Sequence, residues 1–241
     1  IDVWSFELLL KDLGDALAGI TAPAAPSYQA YVRHQTTLRD SESGQRQQSF
    51  WQTQLSDAPA PALPPLATAP VEPSRMEGAT EHVMLPADLA KQIEAYAREN
   101  GVTLYALLTA VWGMVCQRFD PDTYGDVIIG APSHGRTGRQ WSETLGFFVS
   151  VLPLRLQIDP TLPVGDLLQA TNQKLSAAMA HQDIPFQDVV ATAPVAARSG
   201  DYPLFNTVVH MRQLDGYGDA SGFFVPNTNG QMQLGPLALK P

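Results

Sequence analysis

Six prolines, Pro59, Pro61, Pro64, Pro65, Pro70 and Pro73, fall between Asp57 and Thr80 with little but alanine and leucine among them. Proline fixes φ and has no amide hydrogen, so this stretch can form neither a regular helix nor a central strand and is expected to run extended. It divides the 241-residue chain into residues 1–58 and 80–241, with 59–79 read as a linker between two lobes. The other reading is a single long loop within one domain; structureless loops of this length are uncommon in compact domains.

Before the linker the pattern is helical. Phe6, Leu9, Leu10, Leu13 and Leu17 follow the spacing of one helical face, which predicts a helix starting at Ser5 with that stripe buried. A more polar helical region runs from about Tyr28 to Leu55, anchored at one end by Phe50 and Trp51. After the linker, helix and strand alternate. Glu81 to Leu85 reads as a short strand and Asp88 to Glu99 as an amphipathic helix closed by Gly101. Thr103 is placed to cap a strongly apolar helix from Leu104 to Phe119, in which Leu107, Leu108, Val111, Trp112 and Val115 imply burial on more than one side. Val127 to Ile129 is a short buried strand leading into the loop Gly130 to Gly138. Phe148 to Ile158 alternates as a longer strand in which Pro153 requires an edge or a bulge. Pro163 suits the first turn of a helix from Val164 to His181, and Leu204 to Met211 reads as the next strand. From Gly216 to Pro241 the periodicity is weak. The class is α/β.

The composition excludes several functions. A formal charge of -9 without a Lys/Arg cluster argues against a nucleic-acid surface, because phosphate binding draws on clustered cations. No apolar run approaches the ~18 residues of a membrane helix. The single Cys116 excludes an internal disulfide and favours a reduced compartment, with the cytoplasm as the expected location. The five histidines, His34, His82, His134, His181 and His210, stand at no recognisable metal-ligand spacing, so no metal is expected. Serine-hydrolase elbows, phosphate loops and dinucleotide fingerprints are all lacking.

What remains is a series of short strings in a fixed order. Asp2-Val3-Trp4-Ser5 precedes the first helix, and Gly130-Ala131-Pro132 with Gly135-Arg136 follows a buried strand. Gly146-Phe147-Phe148-Val149-Ser150 enters the next strand. His181-Gln182-Asp183-Ile184-Pro185-Phe186 and Tyr202-Pro203-Leu204-Phe205-Asn206 come later. In this order the chain resembles the condensation domains of non-ribosomal peptide synthetases, in the chloramphenicol-acetyltransferase-like superfamily. Asp2 matches the aspartate of the family's His-His-x-x-x-Asp-Gly motif, and Val3 stands where glycine is usual. Residues 146–150 resemble Gly-x-Phe-Val-Asn, with Ser150 in place of asparagine. Residues 181–186 resemble His-Gln-x-x-Pro-Phe, and 202–206 resemble Asn-Pro-Leu-Phe-Gln.

The resemblance implies a two-lobed, V-shaped fold of mixed sheets covered by helices, with a tunnel between the lobes. Residues 1–58 would complete the donor lobe and 80–241 supply most of the acceptor lobe, incomplete at its end. Donor and acceptor would arrive as thioesters on the phosphopantetheine of upstream and downstream peptidyl carrier proteins, beside a neighbouring adenylation domain, with no cofactor bound directly. The acceptor amine would attack the donor thioester to form an amide. The resemblance places the motif's histidines ahead of Asp2, so the expectation is a chain inert by itself, truncated at both ends. Asp2 would shape the motif loop through an ion pair with an arginine; an acid favoured by the helix dipole is the alternative, and both can hold at once. Arg136 is read as an inter-lobe partner or as a solvated loop arginine. Trp4, Ser5, Gly146, Phe147, Ser150, His181 and Asn206 are the substrate-side candidates. Gly146 and Phe147 more simply shape a turn, and His181 is most simply a helix cap or a core histidine stabilised by the dipole. An epimerisation domain, a non-catalytic recruitment platform and a stand-alone coenzyme A-dependent acyltransferase are the alternative members.

Overall fold

Two antiparallel strands, β1 (Asp126–Ser133) and β2 (Ser150–Gln157), form the centre of the computed structural model, paired without a break from Asp126 opposite Gln157 to Ser133 opposite Ser150. The model describes residues 1–21, 23–59, 79–119, 125–198, 203–211, 232–234 and 237–239. Most of the proline-rich stretch read as a linker, residues 60–78, therefore lies outside the described residues.

Pro153 sits opposite Gly130 in this ladder. Gly130 spends its own backbone elsewhere: its N–H donates to the Thr207 carbonyl at 2.9 Å, and its carbonyl accepts from the Val209 N–H at 3.1 Å. The Gly130–Pro153 pair thus needs no hydrogen bond from proline, and the strand passes through it without a bulge. The expected strand from Leu204 to Met211 is reduced to a single parallel bridge, Val208 to Gly130. Its entry is bent by Leu204, a buried residue with φ of 71°. Gly130 itself is required there, because a Cβ would lie 2.6 Å from the Phe205 ring.

Helices cover this pair. α1 spans Val3–Leu17, α2 Tyr28–Arg39, α3 Glu42–Leu55, α4 Ala87–Glu99, α5 Leu104–Phe119, α6 Val164–Ala180, α7 Phe186–Thr192 and α8 Val195–Arg198. A second hairpin, β3 (Met232–Leu234) and β4 (Leu237–Leu239), falls in the weakly patterned C-terminal stretch. The main core joins Ile129, Leu152, Leu154 and Leu156 of the strands to Leu175 of α6, Val189 of α7, and Trp51 and Leu55 of α3. Residues on both sides of the proline-rich stretch therefore share one core. Among the described residues no single helix is long and apolar enough to cross a membrane.

Several expectations are corrected. The helical region from Tyr28 to Leu55 is two helices, because Ser41 caps at the junction: its hydroxyl donates to the Leu38 carbonyl at 2.6 Å and accepts from the Gly44 N–H at 3.1 Å. Gly44 permits the turn, since a Cβ there would meet the Leu38 carbonyl oxygen at 2.1 Å. Residues 81–85 form no strand, and Val83 and Met84 are exposed. A short apolar run does not make a strand without a paired neighbour, and among the described residues none pairs with it. In α5 burial does fall on more than one side, Ala106 and Cys116 joining the main core and Leu107 and Ala110 a second cluster with Ala97, Val102 and Leu168. Most of its buried residues are small, however, Ala106, Thr109, Ala110, Gly113 and Cys116, and Val111 and Trp112 are exposed. Small residues let this helix approach the sheet closely: a Cβ on Gly113 would lie 3.1 Å from Leu156. α1 begins at Val3, with Asp2 rather than Ser5 at its cap. Its expected stripe faces outward, with Phe6, Leu9, Leu13 and Leu17 exposed and only Ser5 and Leu8 buried. The first turn decides this orientation, because polar contacts of Asp2 and Ser5 fix which face points inward.

Candidate functional site

Asp2 and Arg136, 134 residues apart, meet in the interior with side chains 2% and 1% exposed. Asp2 occupies the N-cap of α1 in an extended conformation, and its Oδ1 accepts the Ser5 N–H at 2.8 Å. Its Oδ2 accepts the Phe148 N–H at 3.0 Å. Arg136 Nη2 stands 3.2 Å from Oδ1 and donates to Ser5 Oγ at 2.8 Å. Nη1 donates to the carbonyls of Trp141 and Thr144, each at 2.7 Å. The guanidinium also lies over the Phe148 ring, 3.9 Å from its centroid. One planar cation thus pins the start of α1, the short 3₁₀ turn Arg139–Trp141 and the approach to β2 to one another.

The fit depends on backbone that few residues can adopt. Gly135 has φ of 66°, and a Cβ there would lie 1.9 Å from the Phe148 carbonyl oxygen. Ser5 Oγ donates to the Gly146 carbonyl at 2.7 Å and accepts from the Gly146 N–H at 3.0 Å, closing the loop onto α1. Tyr28 packs against Gly146 and donates its hydroxyl to the Phe147 carbonyl at 2.6 Å. A Cβ on Gly146 would fall 2.0 Å from the Tyr28 ring. Gly146→Ala is therefore expected to displace Tyr28 and destabilise the chain by roughly 1–3 kcal/mol; chemical denaturation checks this, and a value near zero would mean that the ring moves freely.

Burial pushes the Asp2 carboxyl up, but hydrogen bonds from Ser5 and the Phe148 N–H together with the Arg136 charge outweigh it and hold Asp2 below the usual range. A carboxylate lowered in the folded state stabilises fully above its unfolded pKa, about 3.9, and that contribution is lost as pH falls through the folded value. Asp2→Asn should accordingly lose less stability than the parent chain on acidification below about pH 4. Parallel acid titrations followed by circular dichroism would show it.

Two cavities flank this network and share Phe147, Val149 and Val151 as a wall. One, of about 580 Å³, is lined by Ile1, Asp2, Val3 and Trp4 together with His134 and His210. The other, of about 540 Å³, is lined by Tyr28, Tyr31, Ser150, Gln182 and Phe205 among others. Burial pushes the Tyr31 phenol up to about 12, and its hydroxyl oxygen accepts from Gln35 Nε2 at 2.8 Å. Trp4 borders the larger cavity and donates its Nε1–H to the Ser142 carbonyl at 2.9 Å.

The candidates chosen from sequence are not all brought together. Asp2, Ser5, Arg136 and Gly146 form the buried network, Trp4 and Phe147 border the larger cavity, and Ser150 borders the smaller one. His181 lies away from both cavities. It caps α6, its Nδ1 is 2.7 Å from the Ala177 carbonyl, and its ring stacks on Phe50 at 3.9 Å. Asn206 is exposed, and its neighbour Phe205 lines the smaller cavity instead. Gln182, which shares a hydrogen bond with Ser133, also lines that cavity. Tyr28, Tyr31 and His134 carried no motif signal, since each reaches the site through a contact distant in sequence or through a turn.

A family model described as the condensation domain matches residues 1–233. The chain is similar to malpibaldin synthetase of Mortierella alpina, 28% identical over 86% of this chain and 4% of that protein. It therefore spans only a small part of such relatives. Among solved structures it is similar to the condensation domain of monacolin K polyketide synthase, with a TM-score of 0.72 and 20% identity over 86% of this chain and 50% of that one. It is also similar to a four-domain non-ribosomal peptide synthetase bound to AMP and glycine, with a TM-score of 0.77 and 20% identity over 100% of this chain and 18% of that one. Likeness at these identities concerns the fold.

Proposed function

Because the chain belongs to the condensation-domain family, with the α/β chloramphenicol-acetyltransferase-like fold of its structural relatives, we propose that it contributes to amide formation between a carrier-bound acyl or peptidyl thioester and a carrier-bound aminoacyl acceptor. The observation that best supports this is the buried Asp2–Ser5–Arg136 network beside a cavity of about 580 Å³. Such a reaction depends on placing an amine against a thioester carbonyl more than on an enzyme nucleophile. A rigid wall with a sizeable cavity meets that requirement.

Asp2 in this reading is a positioning residue. Its two oxygens already accept from Ser5, Phe148 and Arg136, so it has no place for a substrate proton. Ser150, Phe147 and Trp4 border the space open to substrate. Carrier proteins would deliver both thioesters on phosphopantetheine, an adenylation domain would charge the acceptor, and the setting would be cytoplasmic. Residues 1–58 would belong with the donor lobe and 80–241 with the acceptor lobe, α3 packing across that division through Trp51 and Leu55.

The test offers the full-length protein one carrier loaded with an acyl thioester and one with an aminoacyl thioester, and reads both carriers by mass spectrometry. Amide on the acceptor carrier and free thiol on the donor are expected. Hydrolysis alone, or an epimerised aminoacyl thioester without condensation, would overturn the reading.

A further inference from the structure

His134 stands in the loop after β1, immediately before Gly135 and Arg136. The left-handed Gly135 folds this loop back so that the Arg136 N–H donates to His134 Nδ1 at 3.0 Å. A ring nitrogen that accepts carries no proton, so the neutral imidazole holds its hydrogen on Nε2. Among the described residues Nε2 has no hydrogen-bond partner. The ring is exposed, lies 5.9 Å from the Trp4 ring, and lines the cavity of about 580 Å³ with Asp2, Val3, Phe147 and Val149. The structure therefore holds a preset N–H donor at the wall of the cavity, on a loop fixed through the buried guanidinium of Arg136.

Within the condensation reading above, the geometry points to His134 as a catalytic residue that donates its Nε2–H to the acyl carbonyl oxygen of a thioester in this cavity. Attack by the acceptor amine forms the C–N bond and moves the carbonyl π electrons onto oxygen, where the His134 N–H meets the developing charge. Collapse re-forms the carbonyl and breaks the C–S bond. The proton shed by the amine ends on the departing thiolate, giving amide and free thiol. Since the Nδ1 lone pair is engaged by Arg136, His134 is the donor in this step and not the base.

Two substitutions separate the donor from the structural contact. Asparagine and aspartate both present an oxygen that can accept the N–H two residues on, as Nδ1 does now. Asparagine also keeps an N–H donor; aspartate does not. In the full-length protein, with carriers bearing an acyl and an aminoacyl pantetheine thioester, His134→Asp should lower kcat roughly 100-fold. Its KM for the loaded acceptor should stay within about threefold. His134→Asn should retain kcat within about tenfold of the parent, and both variants should melt with the parent protein. Parent-like turnover by His134→Asp, or equal losses in the two variants, would overturn the assignment. Failure of the parent protein to form amide would overturn the condensation reading, and this role with it.

Discussion

Replacing Arg136 by alanine should destabilise the chain by about 3–5 kcal/mol, because it leaves the Asp2 carboxylate buried without its counter-charge. The same change removes the donors to Ser5 Oγ, Trp141 O and Thr144 O and the cation stacked on Phe148. For a chain of this length the loss corresponds to a melting temperature lower by roughly 10 °C. Lysine would restore charge but not the planar fork that reaches Asp2 on one side and two carbonyls on the other, so Arg136→Lys should recover only part of the loss. Urea denaturation measures both variants. A cost below about 1 kcal/mol for Arg136→Ala would place the pair among exposed salt bridges, contrary to its burial.

Trp51→Ala should cost a similar amount, about 3–5 kcal/mol. Trp51 is 1% exposed and joins α3 to the core strands. Its Nε1–H donates to the His181 carbonyl at 2.8 Å, and the neighbouring Phe50 stacks on the His181 ring. That carbonyl sits at the end of α6, where helical partners run out. Trp51→Phe separates the two contributions. It keeps most of the apolar volume but leaves the carbonyl unpaired, and should lose roughly 1–3 kcal/mol. Both values come from equilibrium denaturation. Near-parent stability of Trp51→Ala would mean that α3 is not part of the shared core.

The sequence carries the fold best where one element's pattern settles its own surroundings. Gly101, Thr103 and Pro163 mark helix ends that the structure places within a residue or two, and Leu152, Leu154 and Leu156 alternate into the core as their spacing requires. Phe50 and Trp51 likewise announce an anchored helix end. Where the outcome depends on a neighbour, spacing misleads. The leucines of α1 form a helical face, but Asp2 and Ser5 turn that face outward. Residues 81–85 read as a short strand and pair with no strand among the described residues. α5 buries its small residues because the sheet lies too close for large ones. The site follows the same division. Asp2, Ser5, Arg136 and Gly146 stand out as motif positions, whereas the role inferred for His134 depends on a tautomer set by one backbone N–H.

A double-mutant cycle on Asp2 and Arg136 addresses the central claim, that a buried ion pair joins the start of α1 to the loop bearing Arg136 and so builds the cavity wall. Equilibrium unfolding of Asp2→Ala, Arg136→Ala and the double variant should give a coupling energy of about 2–3 kcal/mol, with the double variant little worse than either single one. Additive losses, with coupling under about 0.5 kcal/mol, would contradict it.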